Sequence, residues 1–406
     1  VSGTFLHNAT VVLITATSPI WYLAGSNQPT PTIVDDSVLI TTLEGATRSS
    51  ETLTFAANGI TADNDRTQFR ELINISFANR KARPAPSLVI LSNGDQIAMQ
   101  VRTITEESVS GIRAGGTAMS VPLEFVKAIG WNLPETTVAR TNRLRQVDSS
   151  SPDDTVFLTN GDRVIGEIRG LTEKGLSIES AGGLRTLPAD SIATIRFSSE
   201  LISPISNDGA LATLQTTSED IITITGVNDA SENQLKTQTV WGAEFVVPTA
   251  QVVHMQFLHD RLTYLSDLPP RTVQHVPTIG EPRKLQSDKT VNRTPFRHRG
   301  RRYPKGVGTT SRMEITWNLG GAYTLFNTHY GLDDTAPKGA AVFGVHLDGQ
   351  QVFNSGTIRD TKLRQLPVLN VAGARELRLT VDYGPRGDIH DTANWVGAVL
   401  TKRPDK

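Results

Sequence analysis

One spacing recurs four times along the first two-thirds of this 406-residue chain. In three copies a proline is followed by apolar residues at +4, +7 and +9. These are Pro122 with Val126, Ile129 and Trp131; Pro188 with Ile192, Ile195 and Phe197; and Pro248 with Val252, Met255 and Phe257. Another copy has Gln68 in place of the proline, then Leu72, Ile75 and Phe77. A spacing kept at four places points to one supersecondary unit built several times over.

The starts of the units agree. Leu88-Val89-Ile90-Leu91-Ser92-Asn93-Gly94-Asp95 matches Val156-Phe157-Leu158-Thr159-Asn160-Gly161-Asp162. Each is a strand running into an Asn-Gly-Asp turn, where Asn and Gly accept the positive φ that a tight hairpin demands. Weaker versions stand at Val38-Leu39-Ile40-Thr41 and Leu214-Gln215-Thr216. Alternating runs such as Val164 to Ile168 supply further strands. The +4 and +7 residues suggest one short helical turn, and the step to +9 a returning strand. A unit of roughly 47 residues with about five strands would close into a small β-barrel, a pattern that resembles the Sm-like and SH3-like barrels. Residues 35–133 then hold two units and residues 154–260 two more. Residues 134–153, with Arg140, Arg143, Arg145 and Ser149-Ser150-Ser151-Pro152, read as a linker that separates the pairs.

The last third has a different rhythm. It runs from Tyr264-Leu265-Ser266-Asp267-Leu268 through Tyr303-Pro304-Lys305-Gly306-Val307-Gly308-Thr309-Thr310-Ser311 to Tyr330-Gly331-Leu332-Asp333-Asp334. Val345 to Val352, with Asp348-Gly349 as a hairpin turn, and Leu377 to Val381 follow, and the stretch closes on Asp391-Thr392-Ala393-Asn394-Trp395. Short alternating strands with Gly and Asp at the turns mark an antiparallel sandwich. These pieces, in this order, resemble the NPCBM family, a carbohydrate-binding module family noted beside family 98 glycosyl hydrolases. The resemblance covers residues 261–401 and implies a jelly-roll-like β-sandwich that binds glycan without catalysis. Many members carry His after the Gly-x-Gly, where this chain has Thr309-Thr310. Many read Asp-His-Ala-Asp-Trp near the end, where this chain has Asp391-Thr392-Ala393-Asn394-Trp395. Both histidines and one acid are gone, so the polar groups offered to a sugar differ.

Charge divides at the same place. From Arg261 onward there are 22 Lys+Arg against 13 Asp+Glu, and before it 18 against 28, for a net charge of -1. The basic end either meets an acidic partner or docks on the acidic part of its own chain. Its densest stretch is Arg293, Arg297, His298, Arg299, Arg301, Arg302 and Lys305. That reads as a solvated strand edge or as a contact for an acidic glycan. No aromatic platform accompanies it, which argues against nucleic acid. There are no cysteines, so disulfides and thiolate chemistry are excluded. No phosphate-cradling glycine loop, nucleophile elbow or His-Glu-x-x-His is present. His254 and His259 read as ordinary core or exposed histidines.

Sugar binding needs an aromatic face against the pyranose and planar polar groups for its hydroxyls. Asp391, Asn394 and Trp395 supply these within five residues, and Asp333 and Asp334 lie in a second loop. These five residues are the candidate site, with Trp395 either stacking platform or core. The same loop acids could hold calcium; no other cofactor is expected. A hydrolase would instead use Asp333 or Asp334 with Asp388 or Asp391 as a carboxylate pair. Trp317 and Phe326 read as core, and Trp241 as hairpin or edge packing.

Residues 1–30 include an apolar run, Thr10 to Gly25, with Ala24-Gly25-Ser26 near a cleavage-like site, and read as a signal or anchor segment or else as an apolar first strand. The expectation is therefore an all-β, exported bacterial protein, periplasmic, surface-bound or secreted. Tandem small β-barrels would precede a C-terminal jelly-roll-like β-sandwich that binds carbohydrate, with an envelope protein as a further partner of the barrels. The rival is an envelope interaction protein that binds no sugar.

Overall fold

The computed structural model describes residues 33–230, 234–278, 280–298, 301–385 and 391–402; the apolar run of residues 1–30, Arg299 and Asp388 lie outside them. The fold is all-β, with antiparallel pairing throughout the described strands. Four successive segments share one element order: four strands, a 3-10 turn of three residues, and a fifth strand. The fifth strands are Leu72–Phe77, Val126–Gly130, Ile192–Arg196 and Val252–Phe257.

Within each segment the fifth strand pairs with the first, as Ile33–Thr42 does with Leu72–Phe77. The 3-10 turn occupies +1 to +3 after the proline or Gln68, and the strand begins at +4. The +4 and +7 residues therefore both lie in the strand, not on a helical turn. What separates them by three is a bulge. The ladder shifts register between the partners of Val126 and Ala128, and the same shift leaves Ile73, Ala193 and Val253 as the extra residue. One extra residue returns +4, +7 and +9 to a single face. On that face Ile75, Ile129, Ile195 and Met255 are all fully buried.

The predicted hairpin turns form. Gly94 and Gly161 sit at φ 92 and 96°, and Gly45 holds the equivalent place at φ 78°. In the fourth segment that place is taken by Glu219, at φ 73°. A non-glycine residue there is uncommon and costs stability, so its side chain must give something in return.

The segments join through their fifth strands, but not as the pairs on either side of residues 134–153. The first pairs with the fourth, His254 opposite Ser76 and Met255 opposite Ile75. The second pairs with the third, Ile129 opposite Ile195. Residues 134–153 thus do not separate the four segments into sequence-adjacent pairs. They carry a helix, Thr137–Arg145, whose Arg140 is buried against Glu219. No helix of the described residues is long and apolar enough to cross a membrane.

After Leu262–Tyr264 two further sheets face each other over a second core. One sheet centres on Ala393–Lys402, flanked by Gly306–Thr309 and Tyr323–Leu332. The other runs Thr272–His275, Met313–Asn318, Glu376–Tyr383, Ala341–Leu347, Gln350–Ile358. Trp317 and Phe326 are core, as their alternation predicts. Asp348-Gly349 makes the expected hairpin turn, at φ 47 and 86°. Gly308 explains half of the Gly-x-Gly: a Cβ there would stand 2.1 Å from the Lys289 carbonyl oxygen.

The basic stretch is not a solvated edge. Phe296–His298 and Arg301–Tyr303 form a hairpin wedged between the sandwich and the first-segment side of the molecule. Arg301 donates to the Phe77 carbonyl at 2.6 Å and to Ser76 Oγ. Arg302 donates to Gln96 Oε1, and Arg297 lies 3.7 Å from Glu219. The basic hairpin thus docks on its own chain, mostly through neutral acceptors and at Arg297 through Glu219. Glu219 also accepts two bonds from Arg140 and one from the Ala85 amide, which is what its strained turn position secures.

Candidate functional site

Trp395 sits in the central strand Ala393–Lys402 with no exposure to solvent. Its ring packs 5.2 Å from Phe343 and 6.0 Å from Tyr330, centroid to centroid. A sealed indole cannot lie against a sugar, so the stacking-platform reading gives way to the core one. Period-two alternation placed Asn394 and Trp395 on opposite faces, and the Trp face is the one between the sheets.

Asp333 and Asn394 do meet, and both are buried. Asn394 donates to Asp333 Oδ2 at 3.0 Å and approaches His298 Nε2 at 3.3 Å. Asp333 also accepts from the Arg297 amide at 3.1 Å, the Thr335 amide at 3.1 Å and Thr335 Oγ1 at 2.7 Å. His298, buried beside them, is held below the usual imidazole pKa by desolvation, against the raising pull of Asp333 and Asp334. Asp391 accepts from Ser311 Oγ at 2.5 Å and the Ala340 amide at 2.7 Å. The two predicted loops are tied by the Asp333 amide donating to the Thr392 carbonyl at 2.9 Å. These contacts fix the rim of the sandwich; they do not present Asp333 or Asn394 to a ligand.

What the rim does present is a cleft of about 490 Å³. Asp334, Asp391, Thr310 and Thr392 line it from the predicted loops, and Arg283 and Asn292, which sequence reasoning did not single out, line it too. The helix Thr137–Arg145 closes its far side with Thr141 and Arg145. Asn292 donates to Thr392 Oγ1 at 3.0 Å, and Arg283 donates to Asn292 Oδ1 at 2.6 Å. Among the described residues the lining holds hydroxyls, amides, carboxylates and guanidiniums, and no aromatic ring.

Asp333 and Asp391 already accept from protein donors, and Asn394 gives Asp333 its NH₂, its buried Oδ1 being left without a partner. Among the described residues no three His, Asp or Glu side chains are placed to hold a metal. His254 and His259 are buried; His254 approaches Gln256 at 3.4 Å and His259 the Leu72 carbonyl at 2.9 Å.

With this geometry in hand, known proteins provide a comparison. A CBM51 from Clostridium perfringens GH95, in complex with methyl-galactose, is similar at 29% identity, over 34% of this chain and 99% of that one, with a TM-score of 0.31. CBM51-2 with the INT domains of Clostridium perfringens ZmpB, in complex with GlcNAc, is similar at 25% identity, over 42% and 36%, with a TM-score of 0.31. Tandem CBM51 modules of a family 98 glycoside hydrolase from Streptococcus pneumoniae are similar at 14% identity, over 86% and 89%, with a TM-score of 0.31. No curated protein matches. The family model described as NPCBM/NEW2 domain matches residues 261–401, and the C-terminal third of this chain is such a domain.

Proposed function

We propose that the chain is a non-catalytic carbohydrate-binding protein whose sandwich takes a glycan in the rim cleft. The observation that carries this reading is the cleft itself. Asp334, Asn292, Thr310 and Thr392 converge on a space of about 490 Å³, within an NPCBM/NEW2 domain. Donors and acceptors set around a concave hollow can match saccharide hydroxyls, and a mismatched buried polar group costs about 1–3 kcal/mol. Without an aromatic face, affinity rests on hydrogen bonds and is modest. A hydrolytic role has less support, because Asp333 and Asp391 serve as structural acceptors between loops.

We further read residues 35–133 and 154–260 as four copies of one small barrel unit, on either side of residues 134–153, and residues 261–401 as the binding domain. In this reading the barrels are a scaffold, and the protein is exported to the bacterial envelope or exterior. A second reading, an envelope interaction protein without sugar binding, is favoured by the sealed Trp395 and the lack of any ring in the cleft. An array of neutral and acidic glycans, including methyl-galactose and GlcNAc, separates the two. Binding that weakens in Asn292→Ala supports the first, and no binding across the array supports the second.

A further inference from the structure

A second cleft, of about 400 Å³, lies between the sandwich and the four-segment part of the molecule. Its inner wall carries Arg297 and Arg302, which stand directly opposite each other in the basic hairpin. Like charges across a ladder repel. Both residues are buried, where water screens that repulsion poorly. Arg297 lies 3.7 Å from Glu219, which Arg140 already bonds twice, and Arg302 donates to the neutral Gln96. Two buried guanidiniums therefore share one carboxylate, and the third has a neutral partner. The Nε of Arg297 and of Arg302 each lack a hydrogen-bond partner.

The cleft's other walls do not correct the imbalance. Lys127, Arg145 and Arg293 add cations. Of the acids that line it, Asp95 is engaged by the Thr223 amide and hydroxyl, Asp148 pairs with Lys289 at 3.4 Å, and Asp288 with Lys305 at 3.0 Å. Burial and the Arg297 charge push the Arg302 pKa down to about 9, consistent with a cation short of counter-charge.

We propose that this cleft is an oxyanion site, which takes the sulfate, phosphate or carboxylate group of a small anionic ligand between Arg297 and Arg302. Guanidiniums suit such groups because their planar fork meets two oxygens at once. The site adjoins the rim cleft, with which it shares Thr141, Arg145 and Thr294, but Arg297 and Arg302 line this cleft and not the rim one.

The test is calorimetric titration of the full chain at low ionic strength with inorganic sulfate, inorganic phosphate and a hexuronate, each against chloride at matched ionic strength. Saturable binding of at least one probe is expected. A preference for the hexuronate points to an acidic saccharide, and a preference for sulfate or phosphate to a free or esterified oxyanion. Charged hydrogen bonds are worth about 1.5–3 kcal/mol, so Arg302→Gln should weaken binding roughly 10- to 100-fold. Arg283→Gln, at the other cleft, should leave it unchanged. If Arg302→Gln does not fold, Arg293→Gln, on an exposed wall residue, should still weaken binding several-fold. No saturable binding beyond chloride, or equal binding by wild type and every cleft variant, would overturn the proposal.

Discussion

Single residues fix the rim before any ligand arrives. Trp395 fills the space between the sheets, so Trp395→Ala should cost about 3–5 kcal/mol by urea unfolding, through the cavity it leaves. Trp395→Phe should fold and keep any saccharide binding; a folded Trp395→Phe that loses binding would return the indole to the site. Two histidines, His254 buried and His329 half-buried, set a pH dependence. Burial pushes His254 to about 3 and His329 to about 4, with Arg301 further lowering the first and His298 the second. The unfolded chain takes up protons near the ordinary value of 6.5 while the folded chain does not, so stability falls as pH drops below 6.5. Each site contributes up to about 1.4 kcal/mol per pH unit. Asp95 and Asp154, raised by burial, act oppositely nearer pH 4. Urea midpoints between pH 6.5 and 5 should therefore fall, and fall less in His254→Gln. A flat profile in the wild type would contradict this.

At the scale of elements, the recurring strand is one whose spacing can mislead. Apolar residues three apart imitate a helical turn, but a bulge residue in an otherwise period-two strand gives the same spacing. Strand and turn glycine were legible from Asn160-Gly161 and Ile192; the 3-10 corner, expected on the +4 and +7 residues, lies at +1 to +3, and the bulge at Ala193 was not legible, because pairing with Leu158 and Phe157 creates it. Inserting one residue after Thr194 should move Ile195 and Phe197 to the wrong face, whereas deleting Ala193 leaves a plain period-two strand that keeps both inward. The insertion exposes two large apolar side chains, at about 1.5–3 kcal/mol each. Urea unfolding should show the insertion severely destabilised or unfolded, and the Ala193 deletion much less affected. Equal stability of the two would mean that the residue count at the bulge does not set the buried face.

In the whole molecule, charge asymmetry was visible in the sequence and its use was not. The excess of cations after Arg261 is spent partly inside, where Arg297, Arg301 and Arg302 reach residues more than two hundred positions away or the turn at Glu219. Glu219→Gln would leave Arg140 and Arg297 buried without their carboxylate, a change worth about 3–5 kcal/mol in unfolding free energy. The candidate site divides in the same manner. Of the five candidates Asp334 and Asp391 line the rim cleft, beside Thr310 and Thr392, which stand where many members of the family carry histidine. Asn292, Arg283 and the helix residues could not be found from loop chemistry, since the tertiary fold alone brings them there. The central claim is that this polar cleft binds saccharide, and titration of the best array ligand into wild-type chain and Asn292→Ala tests it most directly. The account predicts saturable wild-type binding weakened about tenfold by that substitution, as loss of one hydrogen-bonding amide requires; equal affinity in the two proteins would contradict it.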